Sequence, residues 1–268
     1  MELFHYTSAF VIQEIVLKRK IWATNINYMN DSKEGAIPRE RLRRYVNSKG
    51  AHGLGVDEYL KEAIEYFLNK NKHSFVACFS AGHDNLSLYR TYTPPDGGYA
   101  IGFESDYLNK IPTTELIGCE YARDNHDGEI LRYLKDLIQA LKSYDRSGIS
   151  PLELCNNFKE TGQFLNRLAH MSDAFKSDSF ASENESRLVG RDWEKRELRA
   201  SSRGNFLIPY VPIELPNIET NVRISIGPNS NLDLAIKGIQ ELPDIARRQG
   251  CKWNISIGGF GGASYRYI

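Results

Sequence analysis

The chain has 268 residues, with 34 Lys+Arg against 34 Asp+Glu and a formal net charge of zero. Gross positive charge as a driver of nucleic-acid binding is thereby excluded, though a local basic patch is not. With 41% hydrophobic and 25% charged residues, a sizeable core can form and disorder is excluded as the main theme.

The opening reads as a strand, Leu3-Phe4-His5-Tyr6, followed by a helix capped by Thr7 or Ser8, with Val11, Ile12, Ile15 and Val16 at helical spacing. Ile21-Trp22-Ala23-Thr24 suits a strand, and residues 25–35 are polar and turn-rich. An amphipathic helix is expected over 57–69. The run Ser74-Phe75-Val76-Ala77-Cys78-Phe79-Ser80 fits a strand buried on both faces. Strands also follow at 98–103, after the Pro94-Pro95-Asp96-Gly97 turn, and near 116–121.

From 127 to 175 the pattern turns helical, with a Ser150-Pro151-Leu152-Glu153 capping box, and 125–175 reads as a helical pair inserted into a β framework. Strands resume near 185–190, 205–211 and 222–226. A turn at 227–231 leads to a helix through Pro243 and a last strand at 253–257, so the C-terminal end reads as a βαβ unit. The four cysteines, Cys78, Cys119, Cys155 and Cys251, form no CxxC pair and are expected as free thiols in a reducing compartment. No basic leader or span-length apolar run stands out, so a cytoplasmic protein without a membrane partner is expected.

Several residues could carry chemistry. His5 on the first strand can bind a ligand hydroxyl or simply tie the fold together. In a strand, Glu183, Glu185 and Arg187 would share a face, making either a polar site or a solvated edge with ion pairs. The Asn30-Asp31-Ser32-Lys33-Glu34 stretch is a ligand loop or an Asx turn. The turn at 227–230 offers backbone donors, as any strand-to-helix turn does. The glycine run 258–262 before Tyr265-Arg266-Tyr267 reads as a flexible terminus without P-loop chemistry. Arg39, Arg41, Arg43 and Arg44 form a basic patch, by default a solvated helix face. Serine-hydrolase, zincin and dinucleotide-binding Rossmann signatures are absent.

Taken in order, Phe4-His5-Tyr6-Thr7-Ser8, Ile21-Trp22, Asn30-Asp31-x-x-Glu34, Ala77-Cys78-Phe79-Ser80, Asp84-Asn85-Leu86-Ser87-Leu88-Tyr89, Gly98 to Phe103, Phe175-Lys176, Glu183-x-Glu185-x-Arg187 and Tyr265-Arg266 resemble a large bacterial family of uncharacterised domains. The His-Tyr-Thr-Ser opening and late glutamate further resemble the ADP-ribosyltransferase superfamily. That resemblance implies an α+β fold, an ADP-ribosyltransferase-like split β-sheet core with peripheral helices and a helical insertion, over one domain spanning 1–268. It implies NAD as substrate, no metal, and a toxin or antiphage effector that modifies a nucleic acid or a protein and has an antitoxin as a possible partner. Glu185 is similar to the catalytic glutamate, and Glu183 would orient the acceptor or take its proton. His5, Tyr6, Thr7, Asn30, Ser80, Tyr89, Tyr92, Arg187 and Arg266 would bind NAD, with Tyr89, Tyr92 or Tyr99 stacking on nicotinamide. Tyr6 stands where many members carry glycine. The resemblance requires His5 and Glu185 to line one cleft.

Two other readings compete. One is a metal-dependent nuclease built on Asp31, Glu34, Glu183 and Glu185. The other is a nucleotide- or partner-binding module without turnover.

Overall fold

A computed structural model describes residues 1–29, 35–48, 53–70, 74–190, 193–200 and 205–260. Asn30, Asp31, Glu34 and Arg266, all expected near the site, lie outside the described residues. The chain divides into two compact units. One comprises Met1–Asn25, Phe75–Gly118 and the chain from Ser182 onward; the other comprises Ile26–Ser74 and Cys119–Ala181.

The first unit carries a mixed sheet of ten strands: β1 (Glu2–Thr7), β2 (Lys20–Asn25), β3 (Phe75–Ser80), β4 (Gly97–Glu104), β5 (Thr114–Gly118), β6 (Glu185–Gly190), β7 (Glu197–Ala200), β8 (Leu207–Glu214), β9 (Asn221–Asn229) and β10 (Asn254–Phe260). Their order is β10-β9-β4-β1-β3-β2-β8-β7, with β6 paired to β3 and β5 to β6. The expected βαβ unit is present, since β9 and β10 pair in parallel around helix α9 (Leu232–Arg248). The glycine run is not all terminus, because Gly258 belongs to β10.

The pleat sorts the strands into two faces. Leu3, Phe79, Ile101, Phe103, Leu188 and Ile224 pack in the main core, against helix α1 (Ala9–Lys18) and α9. Ser8 caps α1 by accepting from Val11 N. On the other face, Phe4, Tyr6 and Ala100 pack with Leu88 and Tyr89 of helix α4 (Leu86–Tyr92). Gly102 is required here: a Cβ at this position would meet the Phe4 ring at 2.3 Å.

Strand β3 is the branch point. It pairs with β6 along its whole length. On its other side it meets β1 only at Phe4↔Ser80 and β2 only at Thr24↔Val76 and Asn25↔Phe75. The sheet therefore opens a seam between β1 and β2, beside the middle of β3.

The second unit is helical: α2 (Ile37–Asn47), α3 (Glu58–Asn69), α6 (Arg123–Lys142), α7 (Pro151–Asn157) and α8 (Thr161–Ala174), while the short α5 (Ser105–Leu108) belongs to the sheet unit. The helical pair expected over 125–175 is three helices. The Ser150/Glu153 capping box forms in full at the start of α7. Tyr133, fully buried, donates to Phe164 O at 3.2 Å, and Phe67 packs edge-on against Phe164. All four cysteines are free thiols; Cys155 and Cys251 are buried, Cys78 and Cys119 partly exposed. No helix among the described residues is long and apolar enough to cross a membrane.

Candidate functional site

The site begins at the end of β3. Ser80 pairs across the sheet with Glu185, the first residue of β6, and with Phe4 of β1, so these three side chains share one face. The Ser80 hydroxyl donates to the Glu183 carbonyl at 2.7 Å. Glu183 does not lie in the strand with Glu185, contrary to the alternation expected from the sequence. It closes a 3-10 turn, Asp178–Glu183, and Asn184 follows with φ of 43°. That left-handed residue breaks the two-residue period before β6 starts. Glu185 and Arg187 do share a face, as expected.

Glu185 and Arg187 form a buried ion pair, with Arg187 Nε donating to Glu185 Oε1 at 2.5 Å and side-chain exposures of 4% and 0%. A guanidinium this buried persists because its charge is matched within the same strand. Cys78 of β3 lies directly opposite Arg187. The Glu183 carboxylate turns toward α4, where the Tyr92 hydroxyl lies 3.1 Å from each of its oxygens. Ser80, Glu183, Glu185, Arg187 and Tyr92 thus form one polar cluster.

Tyr6 and Tyr89 stand beside that cluster in structural roles. The Tyr6 hydroxyl donates to Gly82 O at 2.6 Å and accepts from Asn85 N at 3.1 Å, pinning the loop that leads into α4. Asn85 in turn caps α4, its side chain accepting from Ser87 N and Leu88 N. Burial pushes the Tyr6 phenol up to about 12 and raises Tyr89 as well, so both stay neutral donors. Tyr89 is 3% exposed and meets Tyr6 edge-on at 4.7 Å, so its ring is a packing element. Thr7 and Tyr99 are buried partners of each other on β1 and β4.

His5 takes a different place. It pairs with Ile101, whose side chain is in the main core, so the pleat turns it away from the face of Phe4, Ser80 and Glu185, against the expectation that His5 and Glu185 line one cleft. Its ring lies 5.7 Å from Phe79, and Nδ1–H donates to Cys78 O at 2.8 Å. That carbonyl lies on β3 between its contacts with β1 and β2, so the imidazole fills the seam. Burial holds His5 below its usual pKa; the bond to Cys78 opposes the shift and the charge of Arg199 adds to it. With Nδ1 donating, neutral His5 presents Nε2 as an acceptor.

Arg199 is the residue of this region that the sequence did not mark. It sits on β7, donates to Thr24 Oγ1 at 3.0 Å and lies over the Trp22 ring at 5.4 Å. Its strand is short and mostly exposed, without apolar alternation, which is why sequence periodicity is silent there.

The donor set for a metal is thin. Among the described residues no three His, Cys, Asp or Glu side chains cluster to hold an ion. Carboxylate, serine hydroxyl and phenol suit the hydroxyl groups of a sugar better.

No curated protein and no solved structure matches the chain. Residues 88–188 match the family described as "Protein of unknown function (DUF2971)". The matched stretch contains Tyr92, Glu183, Glu185 and Arg187, and ends before β7 and the C-terminal βαβ unit. Over residues 88–188 the chain is therefore similar to an uncharacterised domain family.

Proposed function

We propose that the sheet unit is a glycosyl-transfer site of ADP-ribosyltransferase type, acting on NAD, with Glu183 and Glu185 as its carboxylates. The observation that supports this reading is the convergence at Ser80. Strand register sets Glu185 opposite it, its hydroxyl holds the Glu183 carbonyl, and a strained Asn184 separates the two acids. Breaking the nicotinamide–ribose bond builds positive charge on the ribose, and a fixed carboxylate that also accepts from ribose hydroxyls stabilises it. Glu183, oriented by Tyr92, suits that task or the removal of a proton from the acceptor. His5 lies on the opposite face of the sheet from Glu185, so in this reading it packs the seam and the glutamates carry the chemistry without it. The acceptor is a nucleic acid or a protein, and a toxin or antiphage role follows from the same reading.

A second reading is a nucleotide-binding module without turnover. It is favoured by the buried Arg187 partner of Glu185, which already neutralises the charge a cationic transition state needs.

Nicotinamide release from NAD by the purified chain, with and without cell extract, separates the two. Under the first reading Glu183→Gln lowers the rate about 100-fold or more while leaving the thermal melt unchanged. Saturable NAD binding with no release in any extract establishes the second. Release that is unaffected in both Glu183→Gln and Glu185→Gln rules out the proposed carboxylates.

A further inference from the structure

One charge of the sheet unit takes no part in the proposed chemistry. Arg199 of β7 lies 5.4 Å over the Trp22 ring and donates to Thr24 Oγ1 at 3.0 Å. Strand register puts it on the face of Glu185 and Arg187. Glu197, two residues before Arg199, pairs with Tyr210, Tyr210 with Thr24, Thr24 with Val76, and Val76 with Val189, two residues beyond Arg187. Along β3, Val76 stands about 13 Å from Ser80, four residues on.

Arg199 differs from Arg187 and Arg39 in what balances it. Arg187 carries a counter-ion on its own strand, and Arg39 donates to three acceptors. Arg199 donates to one hydroxyl, and its Nε–H, out of contact with solvent, finds no acceptor. Among the described residues no carboxylate pairs with it. Two acids of the neighbourhood are engaged elsewhere. Glu197 accepts the Tyr210 hydroxyl at 2.5 Å, and Glu14 of α1 pairs with Lys18 at 2.8 Å. Burial holds the Arg199 guanidinium below its usual pKa, and only Tyr210 opposes the shift.

A half-buried guanidinium without a countercharge is costly, and a buried donor left unsatisfied calls for a specific cause. The Trp22 ring offsets part of the charge. The remainder is balanced when an anion sits against the exposed edge of the guanidinium. Thr24 adds a donor there, since its hydroxyl accepts from Arg199 and keeps its own proton to give. Beside them Phe10, 59% exposed, stands 6.0 Å from Trp22 and leaves a flat apolar surface next to the charge.

We infer that Arg199 and Thr24 bind a phosphate group of a small phosphorylated ligand. A planar fork with a hydroxyl beside it suits an oxyanion that has several acceptor oxygens. The Phe10–Trp22 surface receives what the phosphate is attached to, a ring above all. Free pyrophosphate and a nucleotide offer the same phosphate chemistry. Arg199 binds it whether or not Glu183 and Glu185 act on NAD.

Calorimetric titration and thermal melts of the full chain with pyrophosphate, ADP and adenosine test this. Pyrophosphate and ADP are expected to bind saturably below about 1 mM, adenosine not at all, and binding to weaken as salt rises. ADP binding tighter than pyrophosphate makes the ligand a nucleotide; the reverse makes it pyrophosphate. At about tenfold excess over Kd, either is expected to raise the Tm by about 3 °C. Arg199→Met keeps an apolar stem over Trp22 and removes the charge. It is expected to weaken pyrophosphate about tenfold or more and to abolish the ligand-induced rise in Tm. Thr24→Val keeps the shape and removes the hydroxyl, for a loss of about threefold or more. Glu183→Gln is expected to leave pyrophosphate binding intact, so a failure here and a failure of NAD cleavage are told apart. Absence of saturable pyrophosphate binding, equal binding of adenosine and ADP, or pyrophosphate affinity untouched by both Arg199→Met and Thr24→Val would each overturn the inference.

Discussion

In the sheet unit, Glu185 and Arg187 face each other two residues apart on β6, almost completely buried. In the helical unit, Arg39 spreads its guanidinium over three neutral acceptors, Leu68 O, Gly35 O and Ser172 Oγ, while Arg43 reaches Glu65 from a half-exposed position. The sheet unit places an opposite-charge pair side by side on one strand, out of reach of solvent. Arg39 and Arg43 spread their charges over several partners nearer the surface, so solvent compensates for the loss of any one. A strand within a sheet leaves a buried guanidinium few neighbours beyond its own face, whereas helix surfaces offer neighbours three and four residues away.

The sharpest way to break this contrast is to remove one member of each set. Arg187→Met removes the guanidinium paired with the buried Glu185 carboxylate and is expected to cost about 3–5 kcal/mol in urea unfolding. Arg43→Ala is expected to cost less than about 1 kcal/mol. The double variant Glu185→Leu/Arg187→Met should recover most of the loss, and failure to recover it would mean the pair is not the cause.

A second pair of variants tests packing within the sheet unit alone. Gly102→Ala drives a methyl into the Phe4 ring and is expected to cost about 1–3 kcal/mol. Gly118→Ala on β5 meets nothing within 4 Å and is expected to be neutral or slightly stabilising.

Each unit holds a histidine through which acid acts, His5 in the sheet and His126 among the helices. His126 donates Nε2–H to Glu120 O at 2.7 Å and stacks on Phe175 at 4.0 Å, and burial lowers its pKa as it does that of His5. A histidine with a lowered folded pKa takes up its proton in the unfolded chain first. The stability it supports is complete above about pH 6.5 and is lost as pH falls toward the folded value. Tm is therefore expected to drop between pH 7.5 and 5.5, and His5→Asn to flatten part of that slope. A modest effect belongs to Ser150→Ala, which removes the α7 capping box for roughly 1 kcal/mol.

These outcomes bear on what a sequence discloses. The apolar run at 75–80 and the capping box at 150–153 were legible because their signals are local. β7 was not, because a short exposed edge strand carries no apolar period. The three-helix composition of 123–174 was blurred by continuous apolar spacing across its breaks. At the site, Glu185 and Arg187 could be placed on one face from their spacing. Glu183 could not, because a left-handed Asn184 is a property of the folded backbone. Nor does spacing reveal that β1 and β2 diverge along β3, which is what places His5 in a seam.

The interrupted layout of the sheet also dictates when it can be made. β4 must pair with β9, matching Tyr99 to Ile226, and β3 with β6, matching Ser80 to Glu185, while the 119–181 stretch intervenes. During synthesis the amino-terminal strands wait, edges open, until more than half of the chain has left the ribosome. Such distant closures slow folding and leave nascent strands exposed to one another. Production at lower temperature, with slower translation and abundant holdase chaperones, should therefore raise the soluble yield more than any single stabilising substitution.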